Sequence, residues 1–437
     1  MESKARAPVP GIALAILVVA LAGCGQQDGT VAADGSAALC DRDLRVLAQP
    51  RDSLVQMEAD REQFRQIAGA DFSIDYLNEN DRRAKSRLDA STTGTYHVYY
   101  VDEANVSLFA ENGWIVPLNE HYPEAYDFAD FEQARIQAAS YKGVPYFAPI
   151  QGGSDLMFYR TDLLERAGIR PPETLDELLS AARTLHNPSA GIYGIALRGG
   201  RGSGANVWRW GPYFHAYGGQ LADVEAPKFD TEAGLKATQT YLSLFQYSPP
   251  NTRTGSWTEA TEAFNSGQVA IIIESAPLAA MTEDPRQSRI AGKVGYAAPP
   301  APLPGAVYAH GLAIGAKANR DARARACAAT FIAWATSKEQ EAKRLAAGNF
   351  GELNRTSILA GEEFSQKYPA PLVAALSDAR QASQITYWNR PQWLEVGDRW
   401  GILLEQLIVG TRTDVKGSLA ELDQFVDEVE KRSASRR

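Results

Sequence analysis

Short apolar runs alternate with segments of helical period along the first third of the chain. Residues 44–48, 72–77 and 97–101 carry the run lengths expected of strands. Between them, residues 53–67 place Leu54, Met57, Phe64 and Ile67 at helical spacing, and residues 80–88 and 104–111 read as two further helices. Residues 113–118 close this unit. A second unit follows. Residues 156–159 form a short apolar run, and residues 161–167 a helix with Gly168 placed as its C-terminal cap. Pro171-Pro172 blocks continuation, and Thr174 with Glu177 predicts a capping box for a helix that buries Leu178, Leu179, Ala182 and Leu185. Ser256 with Glu259 predicts another capping box, and residues 269–273 are continuously apolar, as a strand buried on both faces should be.

This alternation predicts an α/β protein with two mostly parallel sheets flanked by helices. In such sheets ligands bind beyond the carboxyl ends of the strands. In the first unit those ends are residues 49–52, 78–80 and 102–105. The chain crosses between units near residues 146–149, again in the proline-rich segment 299–305, and a third time in the glycine-bearing loop 348–356. The expected division is 41–147 with 300–347 for one lobe, and 148–299 with 348–437 for the other. A helix over residues 392–409, decorated by Trp393 and Trp400, ends the second lobe.

The amino terminus changes the picture of where the protein works. Lys4 and Arg6 precede an apolar run, residues 11–21, which ends in Leu21-Ala22-Gly23-Cys24. That run is short for a membrane span. It predicts a signal peptide over residues 1–23, and small residues before a cysteine resemble a bacterial lipobox, which implies lipidation at Cys24. A lipid there would anchor the protein to a membrane surface without a spanning helix. Residues 24–40 are small and polar and read as a flexible tether. An oxidising compartment permits a disulfide between Cys40 and Cys327. The expectation is nevertheless that Cys327 is a small buried hydrophobe in a helix and that Cys40 is loose in the tether.

Lys plus Arg total 44 and Asp plus Glu total 53, a net charge of −9 that argues against a nucleic-acid partner. No G-x-S-x-G, H-E-x-x-H or Walker lysine loop is present, and no cysteine–histidine spacing suits a metal. The glycine-rich stretch 199–204 lacks the placement of a dinucleotide-binding turn and suits a tight loop beside a ligand. No cofactor is expected, and no catalytic residue is assigned.

The order KG-x-P-Y-x-x-P, FYRTDLLERAGI, PP-x-T-x-D-E-L and IYGIALRGGRG over residues 142–202, followed by FNSGQVAIIIE over 264–274, resembles the extracellular solute-binding proteins of family 1. These are the sugar-capturing subunits of ABC importers, and FIAWATSKE at 331–339 is similar to the branch that takes sorbitol, mannitol and related polyols. The resemblance implies a two-lobed type II binding-protein fold with several hinge crossings. It also implies a small carbohydrate ligand, permease subunits as partners, a monomer, and a place on the outer face of a bacterial membrane. Two departures fall where a site is expected: Gln151-Gly152-Gly153-Ser154-Asp155 stands where the branch tends to have Gly-Glu-Ser-Ser, and Tyr308 and His310 where it tends to have tryptophans.

A polyol presents hydroxyls that both donate and accept, which carboxylates, amides and guanidinium forks match. The candidates by position are Gln49, Asp52, Asp102 and Glu103 in the first lobe, and Gln151, Asp155, Arg198 and Glu274 in the second. Trp257 and Trp393 are candidates for stacking, and His310 and Arg355 for contacts at the crossings. Capture of an oligosaccharide, or processing of a glycoside by a secreted enzyme, remain alternatives at this point.

Overall fold

The computed structural model describes residues 40–122, 126–202, 205–222 and 224–435. The expected signal peptide, the lipidation at Cys24 and all but the last residue of the expected tether lie outside them.

In the first lobe the strands are β1 (Leu44–Ala48), β2 (Phe72–Tyr76), β3 (Val98–Asp102), β4 (Ala148–Gly153) and, much later in the chain, β9 (Tyr308–Ile314). The second lobe holds β5 (Asp155–Arg160), β6 (Tyr193–Ala196), β7 (Val269–Ser275) and β8 (Val294–Ala297). Among the described residues they form one sheet in the order β2-β1-β3-β9-β4 and another in the order β8-β5-β7-β6. β1 runs parallel to β2 and β3, and β9 lies antiparallel between β3 and β4. In the second sheet β6 and β7 are parallel, while β5 is antiparallel to both of its neighbours. Each sheet is therefore mixed, with an inserted antiparallel strand. Because β4 belongs to the first sheet and β5 to the second, the chain passes between them at Ser154, later than the boundary expected after residue 147. The second passage lies between β8 and β9.

The helices follow from local chemistry. Residues 53–67 are two helices, α1 (Asp52–Ala59) and α2 (Arg61–Ala68), because Asp60 at φ −91° and ψ 13° breaks the run that hydrophobic spacing alone predicts to be continuous. α3 (Glu79–Ser91) starts at Asn78, whose side chain accepts from the Asp81 N–H, and α4 (Glu103–Glu111) follows β3 without a loop. Thr174 accepts from the Glu177 N–H, and Ser256 with Glu259 forms a full capping box for the helix Trp257–Asn265. Gly168 takes the left-handed conformation, φ 67°, that closes the helix before it.

Phe64, Phe72, Phe331 and Trp334 pack edge to face and tilted in the first lobe, tying α2 and β2 to the helix Ala322–Ala335. Beside them Cys40 is bonded to Cys327, and the Cys40 N–H donates to the Ala68 carbonyl at 3.0 Å. The expectation of two unpaired cysteines is corrected here. Cys40 is not loose in a tether but buried against the helix that carries Cys327. The second lobe has its own core, where Trp210 contacts Phe214, Phe229 and Trp400. Trp393 is buried in that core at the start of the helix Trp393–Val409.

Candidate ligand-binding cleft

The strand ends of both sheets face a cleft of about 700 Å³, within the range of small-molecule sites. On the first-lobe side it is lined by Arg51, Asp52, Glu79, Arg83, Glu103, Asn105, Gln151, Tyr308 and His310. On the other side are Arg198, Trp208, Arg209, Trp257 and Ser275, and Asn349 and Glu352 come from the third crossing. Of the residues expected at the site, Asp52, Glu103, Gln151, Arg198, Trp257 and His310 line this cleft.

The others do not line it, and each has a physical reason. Asp102 is fully buried. It accepts from Arg82 Nη2 at 2.6 Å, from Arg83 Nε, and from Asn105 Nδ2 at 3.3 Å. Burial raises its pKa, but the Arg82 and Arg83 guanidiniums outweigh burial and hold it well below the usual carboxylate range. Gln49 lies in the same cluster, accepting from Arg82 Nε at 3.2 Å. Glu274 grips Arg198 through both oxygens at 2.6 Å, Arg198 donating from Nε and Nη2, and it accepts from the Ser275 N–H at 3.0 Å. Asp155 sits 2.9 Å from Arg209 Nη1 and accepts from the Ala306 N–H in the second passage. Arg355 is turned into the protein, donating to the carbonyls of Thr336 and Asp127 at 2.9 and 2.8 Å. Trp393 belongs to the core, as aromatic residues on an amphipathic helix mostly do.

A pattern emerges from these pairs. Each cleft guanidinium of the second lobe stands on a buried carboxylate, Arg198 on Glu274 and Arg209 on Asp155, and Arg83 of the first lobe stands on Asp102. Paired charges of this kind are held in one orientation, and breaking a pair leaves an uncompensated buried charge. Arg51, at the N-terminus of α1, differs. Its Nε donates to the Tyr100 hydroxyl at 3.5 Å, and among the described residues no carboxylate lies within ion-pair distance of it. Sequence reasoning did not select it, although it directly precedes Asp52 in a loop at the end of β1. Arg83, Asn105, Arg209, Tyr308, Asn349 and Glu352 were also not selected. Glu352 ties the third crossing to the first lobe by accepting from the Ser53 N–H at 2.7 Å.

The glycine loop after β6 shapes the second-lobe wall. A Cβ at Gly199 would lie 2.2 Å from the Arg253 carbonyl oxygen, so only glycine allows this backbone to lie against residues 252–255. The Gly199 N–H donates to the Thr252 carbonyl at 2.9 Å and the Gly200 N–H to that of Gly255 at 2.8 Å, which holds Arg198 beside the start of the Trp257 helix.

The first-lobe wall holds a buried titratable pair. Burial and the neighbouring Asp102 push Glu103 up to about 8. Burial, with Arg51, Arg82 and Arg83 nearby, pulls His310 down to about 3, although Asp102 works in the opposite sense.

Two mixed sheets meeting at a polar cleft, with the chain passing between them more than once, define a ligand-binding clamshell. The chain matches the bacterial extracellular solute-binding proteins over residues 60–342 and belongs to that family. It is 30% identical over 301 residues to the mannitol-binding protein of Pseudomonas aeruginosa, which covers 67% of this chain and 68% of that protein. An ABC transporter solute-binding protein from Agrobacterium vitis S4, solved with bound D-mannitol, is 25% identical with a TM-score of 0.76, covering 90% of this chain and 99% of that one. Another from Agrobacterium radiobacter K84, in complex with ribitol, shares the fold with a TM-score of 0.79 at 24% identity, covering 90% of this chain and 100% of the other.

Proposed function

We propose that this protein is the substrate-binding subunit of an ABC importer and that it captures a small polyol or monosaccharide between its lobes. The observation that carries this reading is the cleft itself. Hydrogen-bonding groups from both sheets converge on a volume of about 700 Å³, and most of its guanidiniums, those of Arg83, Arg198 and Arg209, are held in place by carboxylates buried beneath them. Family membership and the polyol-binding relatives support it.

Arg51, Asp52 and Gln151 would meet the ligand from one lobe, with Glu103 and His310 in the wall behind Gln151, and Arg198, Arg209 and Trp257 would meet it from the other. Forked donors and carboxylates pair with successive hydroxyls, while an aromatic face such as Trp257 covers the C–H edges. Gln49, Asp102, Asp155 and Glu274 act one layer below, fixing the guanidiniums. A ligand touching both lobes favours the closed arrangement by the difference between its affinities for the two states. The closed form is the one delivered to the permease. Lipidation at Cys24 would keep the monomer at the outer face of the membrane.

Isothermal calorimetry against D-mannitol, ribitol, D-glucitol and a maltooligosaccharide tests the reading. Binding of one or more of the first three, without turnover, is expected. Binding of the oligosaccharide alone, or hydrolysis of a glycoside that is lost on replacing one cleft carboxylate, would overturn it.

A further inference from the structure

Beneath Gln151, polar contacts run in series from a buried carboxyl group to the cleft. Glu103 Oε2 lies 3.5 Å from His310 Nε2. His310 Nδ1 lies 3.1 Å from the Tyr100 hydroxyl. That hydroxyl donates to Gln151 Oε1 at 2.7 Å. His310 and Gln151 are register partners beside an irregularity in the β4–β9 ladder, the kind of feature that re-aims side chains next to sites.

Proton counting constrains this series. A tyrosine hydroxyl has one proton, and a neutral imidazole has one N–H and one bare nitrogen. Tyr100 gives its proton to Gln151, so His310 must donate from Nδ1. Its Nε2 is then bare and faces Glu103, with Asp102 Oδ1 at 3.9 Å. A bare nitrogen beside a carboxylate oxygen is repulsive, whereas a protonated Glu103 can donate to it. Asp102 cannot supply that proton, because Arg82 and Arg83 keep it ionised. If Glu103 ionises, the favourable arrangement reverses. His310 carries its proton on Nε2, Tyr100 donates to Nδ1, and the Gln151 amide must turn so that its NH₂ group donates to Tyr100.

We propose that Glu103 and His310 are positioning residues that act through Tyr100 to set whether Gln151 offers the ligand an N–H donor or a carbonyl acceptor. The ligand's identity rests on the polyol reading above; the relay itself does not. The groups facing the pair support a switch at mildly alkaline pH. Glu103 is faced by Asp102 on β3, Arg83 on α3, and Tyr308, the Ala309 N–H and His310 on β9, with Tyr387 near it. His310 is faced by Tyr100 and Asp102 on β3, Arg82 and Arg83 on α3, Arg51 before α1, and Tyr308 on its own strand. Burial and Asp102 hold the Glu103 proton up to about pH 8, and His310 stays neutral throughout that range.

Nitrogen-15 NMR of the histidine imidazoles without ligand, with His310 assigned by subtraction of a His310→Asn variant, reads the relay directly. The Nδ1–H tautomer is expected below about pH 8 and the Nε2–H tautomer above it, with Glu103→Gln fixed as Nδ1–H throughout. One unchanged tautomer in the parent protein from about pH 6.5 to about pH 9.5, or a switch that survives Glu103→Gln, would overturn the proposal. Calorimetry with D-mannitol at the same two pH values reads its consequence. A change in Kd of about tenfold is expected, the worth of one hydrogen bond, and it should be lost in both Glu103→Gln and Tyr100→Phe. A pH dependence that persists in a folded Tyr100→Phe variant means that Glu103 acts by direct contact, which also overturns the proposal. Should D-mannitol not bind at all, the polyol reading fails, and the tautomer measurement still decides the relay.

Discussion

Replacing Asp102 with asparagine tests whether the buried carboxylates hold the cleft wall in place. Asp102 is the counter-charge of Arg82, whose side chain is 2% exposed and which also donates to Gln49 and to the Tyr100 carbonyl at 2.8 Å. The amide keeps the volume but removes the negative charge and sets an NH₂ group against a guanidinium. Stranding one member of a buried pair costs about 3–5 kcal/mol. Arg83 retains Glu79 at 2.7 Å, so the lower end of that range, about 3 kcal/mol, is expected. Urea unfolding at neutral pH measures it, with Asp52→Asn as the comparison. Asp52 is exposed at the cleft, and its variant should fall within about 0.5 kcal/mol of the parent. A loss below about 1 kcal/mol for Asp102→Asn, or equal losses for the two variants, would refute the claim that Asp102 is structural support and Asp52 a cleft group.

Other outcomes follow from the same geometry. The Cys40–Cys327 bond spans a sequence separation of 287, for which loop-closure entropy sets a ceiling of roughly 5–6 kcal/mol; Cys327→Ala should lower the urea midpoint markedly, and an unchanged midpoint would show that the bond contributes nothing. Arg51→Ala should weaken D-mannitol binding by about 10- to 100-fold, the worth of hydrogen bonds from a charged donor, with little change in unfolding free energy; unaltered affinity by calorimetry would remove Arg51 from the site. Stability should also depend on pH in a defined way. Glu103 binds its proton more tightly folded than unfolded, so its contribution is complete below the usual carboxylate range and is lost as pH rises through about 8. His310 binds its proton less tightly folded, so its contribution is present above the usual imidazole range and is lost as pH falls toward about 3. Thermal melts should therefore peak between about pH 5 and 6, with the alkaline decline reduced in Glu103→Gln; an equal decline in that variant would contradict the assignment.

Much of the architecture was legible because each strand and helix carries its own period. The capping boxes at Thr174 and Ser256, the cap at Gly168, and the strand ends that place Asp52 and Glu103 at the cleft all depend on residues close together in the chain. What was not legible depends on partners far away. Asp102 and Glu103 are adjacent, yet one faces Arg82 and Arg83 on α3 and the other lines the cleft. Nothing local says that α3 packs its arginines under β3. The same holds for Glu274, which sits at a strand end as expected but is spent on Arg198, 76 positions earlier. Cys40 looked like part of a polar tether because its partner lies beyond any local signal. Trp393 carried the composition of a stacking group and the spacing of a core residue, and the core took it. Arg51 is the opposite case, a cleft residue in the loop after β1, directly before Asp52, that carries no local signal of its own.

The central claim is that a hydroxyl-rich molecule is held unaltered between the two lobes. The structure of the protein crystallised with D-mannitol tests it most directly. The claim predicts intact ligand in the cleft, within hydrogen-bond distance of Gln151 or Arg51 on one side and of Arg198 or Arg209 on the other. Ligand bound to one lobe alone, ligand elsewhere on the surface, or a cleaved product in the cleft would contradict it.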